Sequence, residues 1–160
     1  MTNFIQAYRR TALVVIAVVA MTFSALAQER KITQKDVPAA VIAAFKSAYP
    51  SATIKGYARE KEKGQVFYEI ESKEGDTGRD VLYKPDGSLA EIEETVGLSD
   101  LPAAAQKVIQ SKYPGATVSK AEKTTEKSAQ GDKIGYEVIL RQGKKRFSLE
   151  FDGDGNLKGK

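Results

Sequence analysis

The sequence predicts an α+β fold in which two tandem helix-plus-antiparallel-strand repeats form a shared sheet, with both helices packed on one face. Three observations support this prediction. The chain repeats itself over most of its length, each repeat begins with a helical pattern, and each continues with apolar residues in period-two alternation. The second face of the sheet, which we call the open face, is expected to have no covering layer.

The duplication appears as two stretches that align at a constant offset. Residues 36–54 (DVPAAVIAAFKSAYPSATI) match residues 100–118 (DLPAAAQKVIQSKYPGATV) at an offset of 64. After an insertion of four residues the offset becomes 68, and Tyr68-Glu69-Ile70 then matches Tyr136-Glu137-Val138. Two offsets kept over so many positions indicate a tandem duplication. We call residues 37–96 copy one and residues 97–160 copy two.

Each copy is predicted to begin with a helix of about three turns. An aspartate stands where an N-cap carboxylate accepts backbone N–H bonds, and a proline follows in the first turn, where it is tolerated. A Tyr-Pro pair then ends the helix, because the residue before proline is pushed toward extended geometry. These signals are Asp36, Pro38 and Tyr49-Pro50 in copy one, and Asp100, Pro102 and Tyr113-Pro114 in copy two.

The strands that follow are predicted from alternation. In copy one, Val66, Tyr68 and Ile70 share one face, while Phe67 and the glutamates beside it share the other. Pro85-Asp86-Gly87 and Gly153-Asp154-Gly155 are typical of turns between strands. Apolar residues among charges on the open face are typical of a protein-binding surface. The candidate binding residues are Phe67, Glu69, Leu82, Glu137, Ile139 and Arg141.

Composition excludes most catalytic chemistry. The chain has no His and no Cys, so it has no thiol nucleophile, imidazole base, thiolate zinc site or disulfide. Glu69 and Glu137 suit an acid–base pair less well than solvent-facing positions on the open face, and the Glu91–Glu94 run is interpreted as a solvated strand end. Asp152-Gly-Asp154-Gly-Asn156 begins like a calcium loop, but Leu157 replaces the glycine at its sixth position, which favours a hairpin turn. We therefore predict no catalytic residue, metal site or cofactor.

The first 27 residues are predicted to be a Sec-type signal peptide that is cleaved after Ala27. Arg9-Arg10 precede an apolar run, and Ser24-Ala25-Leu26-Ala27 ends in an Ala-x-Ala motif. The apolar run of about 13 residues is short for a membrane anchor, which takes about 20. Residues 28–36 are interpreted as an N-terminal linker. The expected location is the periplasm or the exterior of a bacterium, with no stable membrane insertion after cleavage.

The charge of the mature chain argues against nucleic acid as a partner. The whole chain has 25 bases and 21 acids, and the signal peptide contains two of the bases, Arg9 and Arg10, and no acid. The remainder is therefore close to neutral, at +2. A nucleic-acid-binding domain needs a clustered basic face, whereas the longest basic cluster here is Lys144-Lys145-Arg146.

The repeated pattern of VPAAVIAAF, YP, YEI and YKPDGSL in copy one, and of LPAAAQKVI, YP, YEVIL and FDGDGNL in copy two, resembles the PepSY-like family, also described as β-lactamase-inhibitor-like. The resemblance covers nearly all of the mature chain. It implies an exported, non-catalytic module that binds or restrains other proteins, in some cases peptidases or β-lactamases. It transfers no specific inhibitory residue to this sequence.

Two functions follow from the sequence as hypotheses. The first is a binding or regulatory module that presents its open face to a protein or peptide in the cell envelope and is able to inhibit an envelope enzyme. The alternative is a small-ligand or ion-binding envelope protein that uses the cleft between the copies or the acidic C-terminal turn. The two repeats need not be functionally equivalent.

Overall fold

Two helices and one antiparallel sheet make up the part of the chain that the structure describes. In this computed structural model the described residues are 29–62 and 64–159. The helices are α1 (Ala39–Ala48) and α2 (Ala103–Lys112), each preceded by a short 3-10 turn, Gln34–Asp36 or Leu98–Asp100. The strands are β1 (Arg30–Lys31), β2 (Thr53–Glu62), β3 (Gln65–Glu74), β4 (Thr77–Tyr83), β5 (Leu89–Thr95), β6 (Thr117–Glu126), β7 (Lys133–Gln142) and β8 (Lys145–Asp152).

The eight strands lie in the sheet in the order in which they occur along the chain. Every neighbouring pair is antiparallel, so hairpins make most of the connections and a helix crosses only between β1 and β2 and between β5 and β6. The two copies are joined where Glu91–Thr95 of β5 pairs with residues 122–126 of β6. The predicted α+β fold, with two repeats in one shared sheet, is confirmed.

The register of the strands reproduces the duplication residue by residue. In copy one, Tyr57 pairs with Ile70, and in copy two Ala121 pairs with Val138. Both copies also have an irregularity at the same place in their first long strand, between Ile54 and Gly56 and between Val118 and Lys120. The four inserted residues lie in the loop between β6 and β7, so they lengthen a turn without disturbing the pairing.

The segment assigned to an N-terminal linker contains the short strand β1. Lys31 pairs with Ala58 just as Thr95 pairs with Glu122, at the same offset of 64 on both strands. Strand β5 therefore has two roles, because one edge pairs with β4 of copy one over residues 89–94 and the other edge pairs with β6, where its end stands as β1 stands in copy one.

The predicted N-caps of the helices are placed differently in the structure. Pro38 and Pro102 occupy the N-cap positions themselves. The two aspartates lie two residues before these prolines, at the ends of the 3-10 turns, and they stabilise those turns. Asp36 accepts hydrogen bonds from the backbone N–H and the hydroxyl of Thr33 at 3.1 and 2.7 Å, and Asp100 accepts one from the Gly97 N–H at 2.9 Å. The helices start later because the residue between each aspartate and proline is extended and buried.

Each helix packs on its own section of the sheet, and two core clusters result. In copy one, Val41 and Phe45 of α1 pack against residues that include Ile70 and Val81. In copy two, Ala105 and Ile109 of α2 pack against residues that include Val138, Leu140, Leu149 and Phe151. The two clusters share no residue, so the sheet rather than a common core connects the copies.

The Asp-Gly turns lie directly beneath the first turns of the helices. Gly87 and Gly155 both have a φ of 84°. A Cβ at Gly87 would lie 2.8 Å from the carbonyl oxygen of Ala40, and one at Gly155 would lie 2.7 Å from the Cβ of Pro102. Glycine is therefore needed at both positions for its positive φ and for the close approach to the helix.

The predicted signal peptide lies outside the described residues. Among the residues that are described, no helix has both the length and the apolar character that a membrane span requires.

Candidate functional site: the open face of the sheet

The open face is the side of the sheet opposite α1 and α2. Because residues paired across antiparallel strands point to the same side, the register assigns every strand residue to a face. Ile70 and Val81 pair under α1, and their neighbours Glu69 and Leu82 therefore pair on the open face. The same reasoning places Phe67, Glu137, Ile139 and Arg141 there.

The structure brings two of the three predicted apolar residues together. Phe67 is two residues from Glu69, the partner of Leu82, so Phe67 and Leu82 are diagonal neighbours on adjacent strands, and both are half-buried. Ile139 lies on β7, three strands from Leu82 and therefore about 14 Å away across the sheet. The predicted residues consequently do not form one continuous apolar patch.

Carboxylates occupy much of the surface between these apolar residues. The acidic side chains that the register assigns to the open face are Glu60, Glu62, Glu69, Glu71, Asp80, Glu91, Glu93, Glu122, Glu126, Glu137, Glu150 and Asp152. Basic residues assigned to the same face are Lys31, Lys73, Lys120, Lys133, Arg141 and Arg146. Acids therefore outnumber bases by twelve to six on the described part of the open face, although the chain as a whole is slightly basic.

Glu69 is buried rather than solvent-facing, which corrects the expectation from sequence. It is on the predicted face but only 9% exposed, between Ala58 and Leu82 on the neighbouring strands. Burial, a hydrogen bond with Glu60 and the negative charges of Glu60 and Asp80 raise the pKa of Glu69 to about 9. At neutral pH Glu69 therefore keeps its proton and donates a hydrogen bond to the Glu60 carboxylate.

A second group of carboxylates lies at the junction between the copies. Oxygen atoms of Asp80, Glu93 and Glu122 all lie within 4.8 Å of one another. The Lys120 ammonium lies 2.6 Å from Glu122 and 3.5 Å from Asp80. Asp80 and Glu93 come from copy one and the other two from copy two, so the pairing of β5 with β6 creates this junction cluster.

The junction cluster has too little positive charge for its acids. Burial first, and then repulsion from Glu122, Glu91, Glu137 and Asp80, raise the pKa of Glu93 to about 8. Burial also raises the pKa of Asp80 and of Glu122, even though Lys120 lowers both. The cluster therefore takes up a proton readily and has the oxygen atoms that hard cations prefer.

Sequence reasoning missed the junction cluster because it treated residues 91–94 as a solvated strand end. The structure places them inside β5, in the middle of the sheet. Glu91 and Glu93 are half-buried on the open face, and Glu94 points to the helix side, where it binds the Arg79 guanidinium at 2.9 Å. Period-two alternation would have placed Glu91 and Glu93 on one face and Glu94 on the other. Only the β5–β6 register shows that Glu93 lies close to Glu122.

The remaining candidate residues have structural roles. The Asp152 carboxylate accepts hydrogen bonds from the backbone N–H groups of Asp154 and Asn156 at 3.0 and 2.8 Å, which closes the C-terminal turn. The four repeat-related tyrosines pack against the two cores. They are Tyr49, Tyr68, Tyr113 and Tyr136.

Solved structures with the same fold come from Bacteroides. One, described as a "putative periplasmic" protein from Bacteroides eggerthii, is 18% identical, with a TM-score of 0.61 over 76% of this chain and 85% of that chain. Another, a BLIP-like protein from Bacteroides fragilis, is 22% identical, with a TM-score of 0.55 over 77% of this chain and 84% of that chain. At these identities the likeness establishes the fold alone. No curated protein matches the chain.

Family comparison gives a more specific result. The model of the family described as "Putative beta-lactamase-inhibitor-like, PepSY-like" matches this chain twice, over residues 25–91 and 75–159. Together the matches cover nearly all of the described residues and overlap over residues 75–91, and no catalytic family is indicated. The resemblance seen in the sequence is confirmed, and the chain belongs to the PepSY-like, β-lactamase-inhibitor-like family.

Proposed function

We propose that this chain is an exported, non-catalytic binding or regulatory module whose open face binds a protein or peptide in the cell envelope. The observation that supports this proposal best is the open face itself. No element of the described chain covers it, and it presents Phe67 and Leu82 beside a broad band of carboxylates. Apolar side chains with a charged surround are typical of protein-binding surfaces.

The carboxylates define the chemistry of the partner. A segment that places an apolar side chain on Phe67 and Leu82 would bring its neighbours over Glu60, Glu91 and the junction cluster. Basic side chains there would relieve the repulsion among these acids and steer the encounter. The proposed partner surface is therefore apolar and basic.

Export is part of the same proposal. Cleavage of residues 1–27 would release a chain with no membrane span among its described residues, in the periplasm or outside the cell. The names of two similar structures, periplasmic and BLIP-like, fit this setting. Inhibition of an envelope enzyme is one form that such binding would take.

The proposal is tested with tagged protein in an envelope extract. Phe67→Ala combined with Leu82→Ala should reduce recovery of a specific partner about tenfold or more, because both contacts of the apolar centre are lost. Raising the salt concentration should weaken capture by the unchanged protein. Ile134→Ala is the matched control, because Ile134 is an exposed apolar residue on the helix side of the sheet.

Full retention of every partner by the Phe67→Ala/Leu82→Ala variant would refute the role of the open face. Ile139→Ala is tested separately. Because Ile139 lies three strands from Leu82, its effect shows whether the partner spans both copies.

A divalent cation is the second candidate ligand, and the junction cluster is the observation in its favour. Three carboxylates with oxygens within 4.8 Å of one another suit Ca²⁺, but the Lys120 ammonium would first have to move away. Millimolar calcium should then raise the melting temperature, and Asp80→Asn should abolish that rise. Glu150→Gln, an exposed change on the same face, is the control. An unchanged melting temperature in calcium would eliminate this function.

A further inference from the structure

A cavity of about 690 Å³ lies on the helix side of copy two, between the C-terminal half of α2 and the start of β6. Ile109 and Tyr113 line it from the helix, and Val118 and Ala121 line it from the strand. Val96 and Leu98 form the wall on the side of β5 and the following 3-10 turn. The cavity is therefore mostly apolar. Most of its lining belongs to the helix side of the sheet, and Thr95 and Lys120, which the register assigns to the open face, also line it.

In copy one, an aromatic side chain fills the space that is equivalent to this cavity. The residue equivalent to Ala121 is Tyr57. Its register partner is Ile70, the equivalent of Val138, and it packs against the core of copy one. Its hydroxyl donates a hydrogen bond to the side-chain oxygen of Gln34 at 3.2 Å. The residue equivalent to Ile109 is Phe45, so copy two has lost a ring from the strand and another from the helix. In copy one, the Tyr57 side chain therefore occupies the space that is vacant in copy two.

The rim of the cavity in copy two is more apolar than the equivalent place in copy one, and this favours an apolar ligand. Leu98 stands in the position of Gln34 and is 46% exposed. Only one other large apolar side chain in the described residues, Ile134, is as exposed. Because leucine replaces the glutamine, the site offers no equivalent of the acceptor that binds the Tyr57 hydroxyl, and a phenyl ring suits it better than a phenol.

Charge beside the cavity indicates the residues that flank such a ring. Helix α2 has two lysines, Lys107 and Lys112, and no acid, and both lysines are exposed. Lys112 lies in the last turn, between the cavity-lining residues Gln110 and Tyr113. An acidic residue next to the ring would therefore be attracted to this end of α2.

We propose that this cavity binds the phenylalanine side chain of a partner polypeptide in which acidic residues flank the phenylalanine. The ring takes the place that Tyr57 takes in copy one, and the flanking carboxylates lie near Lys112. This site does not include Phe67 or Leu82, the apolar centre of the open face. The chain then has two binding surfaces, one on each side of the sheet, with opposite charge preferences.

The test uses acetyl-Asp-Phe-Asp-amide as the probe and the methyl NMR signals of Val96, Leu98 and Val118 as the readout. Saturable shifts of these signals are expected. The tyrosine peptide should bind about tenfold more weakly, because Leu98 offers its hydroxyl no equivalent of the Gln34 acceptor. The peptides acetyl-Asp-Ala-Asp-amide and acetyl-Lys-Phe-Lys-amide should also bind more weakly, since they lack the ring and the matching charges respectively.

Two variants locate the site. Ala121→Tyr combined with Leu98→Gln recreates the pair found in copy one. The introduced tyrosine side chain should fill the cavity, and the variant should no longer bind the probe. Leu98→Asp, a change at an exposed position, should weaken binding about tenfold or more by placing a charge at the apolar rim. Ile134→Asp is its matched control, with the same 46% exposure away from the cavity, and should bind the probe normally.

Several results would overturn the proposal. They are an absence of saturable shifts at these methyl groups, equal binding by the Leu98→Asp and Ile134→Asp variants, and tyrosine-peptide binding as tight as that of the phenylalanine peptide. None of these results bears on the open face, because the probe carries no basic residue and the variants leave Phe67 and Leu82 in place.

Discussion

Copy one and copy two have the same backbone pairing but different interiors. Copy one is filled with large side chains, since Phe45 and Tyr57 stand where copy two has Ile109 and Ala121. Copy two leaves a cavity at that place. The difference teaches that strand register tolerates large changes of side-chain volume as long as the helix ends, the turns and the hydrophobic alternation remain.

The open face differs between the copies in a second way. Glu69 of copy one is buried with a raised pKa, whereas its counterpart Glu137 is half-buried. Asp80 of copy one corresponds to Ser148, and Glu122 of copy two corresponds to Ala58. The junction cluster therefore forms only once, where the end of copy one meets the start of copy two.

The largest expected effect is on the free energy of unfolding. It concerns Phe45 and Ile109, the equivalent residues with which α1 and α2 pack on the sheet. Phe45→Ala should lower the free energy of unfolding by about 3–5 kcal/mol, because Phe45 is 1% exposed in a filled core. Ile109→Ala should cost less, about 2 kcal/mol, because Ile109 already lines a cavity and loses fewer contacts. Urea unfolding followed by circular dichroism measures both values.

Ser47→Ala, an exposed change on α1, controls for helix propensity in that comparison. Equal losses for the two anchor variants would show that copy two is packed as well as copy one, contrary to the structure.

The next effect is a pH dependence that comes mainly from copy one. Between about pH 5 and 9, Glu69 keeps its proton in the folded state and loses it in the unfolded state, so the folded state binds more protons. Stability should therefore be greatest near pH 5 and fall as the pH rises, by up to about 1.4 kcal/mol per pH unit for this proton. Glu93, with a pKa of about 8, acts in the same direction.

Glu69→Gln should reduce that slope, since the amide donates to Glu60 without titrating. Unfolding in urea at several pH values between 5 and 9 measures it. Glu137→Gln is the counterpart in copy two and should retain the slope, because it leaves Glu69 unchanged. A Glu69→Gln variant with the same slope as the parent protein would rule out a buried, protonated Glu69.

The smallest expected effect concerns one position that is ionic in copy one and apolar in copy two. Arg79 binds Glu94 at 2.9 Å and lies 4.4 Å from the centre of the Tyr49 ring, while its counterpart Phe147 lies 5.2 Å from Tyr113, centre to centre. Arg79→Met should cost about 1 kcal/mol at low salt and less at high salt. Phe147→Met should show a loss that salt does not change. Thermal melts at two salt concentrations distinguish the pair, and equal salt dependence would contradict the assignment.

Much of the fold was predictable because its signals are local or periodic. The Tyr-Pro pairs end both helices where expected, and alternation assigned Phe67, Leu82 and Ile139 to the correct face. The caps were less predictable. Whether an aspartate caps a helix or a 3-10 turn depends on where the next residue becomes buried, and Val37 and Leu101 are drawn into the cores before their helices begin.

The sequence by itself determined the duplication, the order of helices and strands after residue 36 and the face on which the residues of those strands lie, because these depend on repeat offsets and short-range geometry. Only the tertiary structure decided which of those residues meet. The burial of Glu69, the junction cluster and the cavity beside Ala121 each depend on side chains from different strands or helices, and their distances and volumes are set only when β5 pairs with β6 and α2 packs on the sheet.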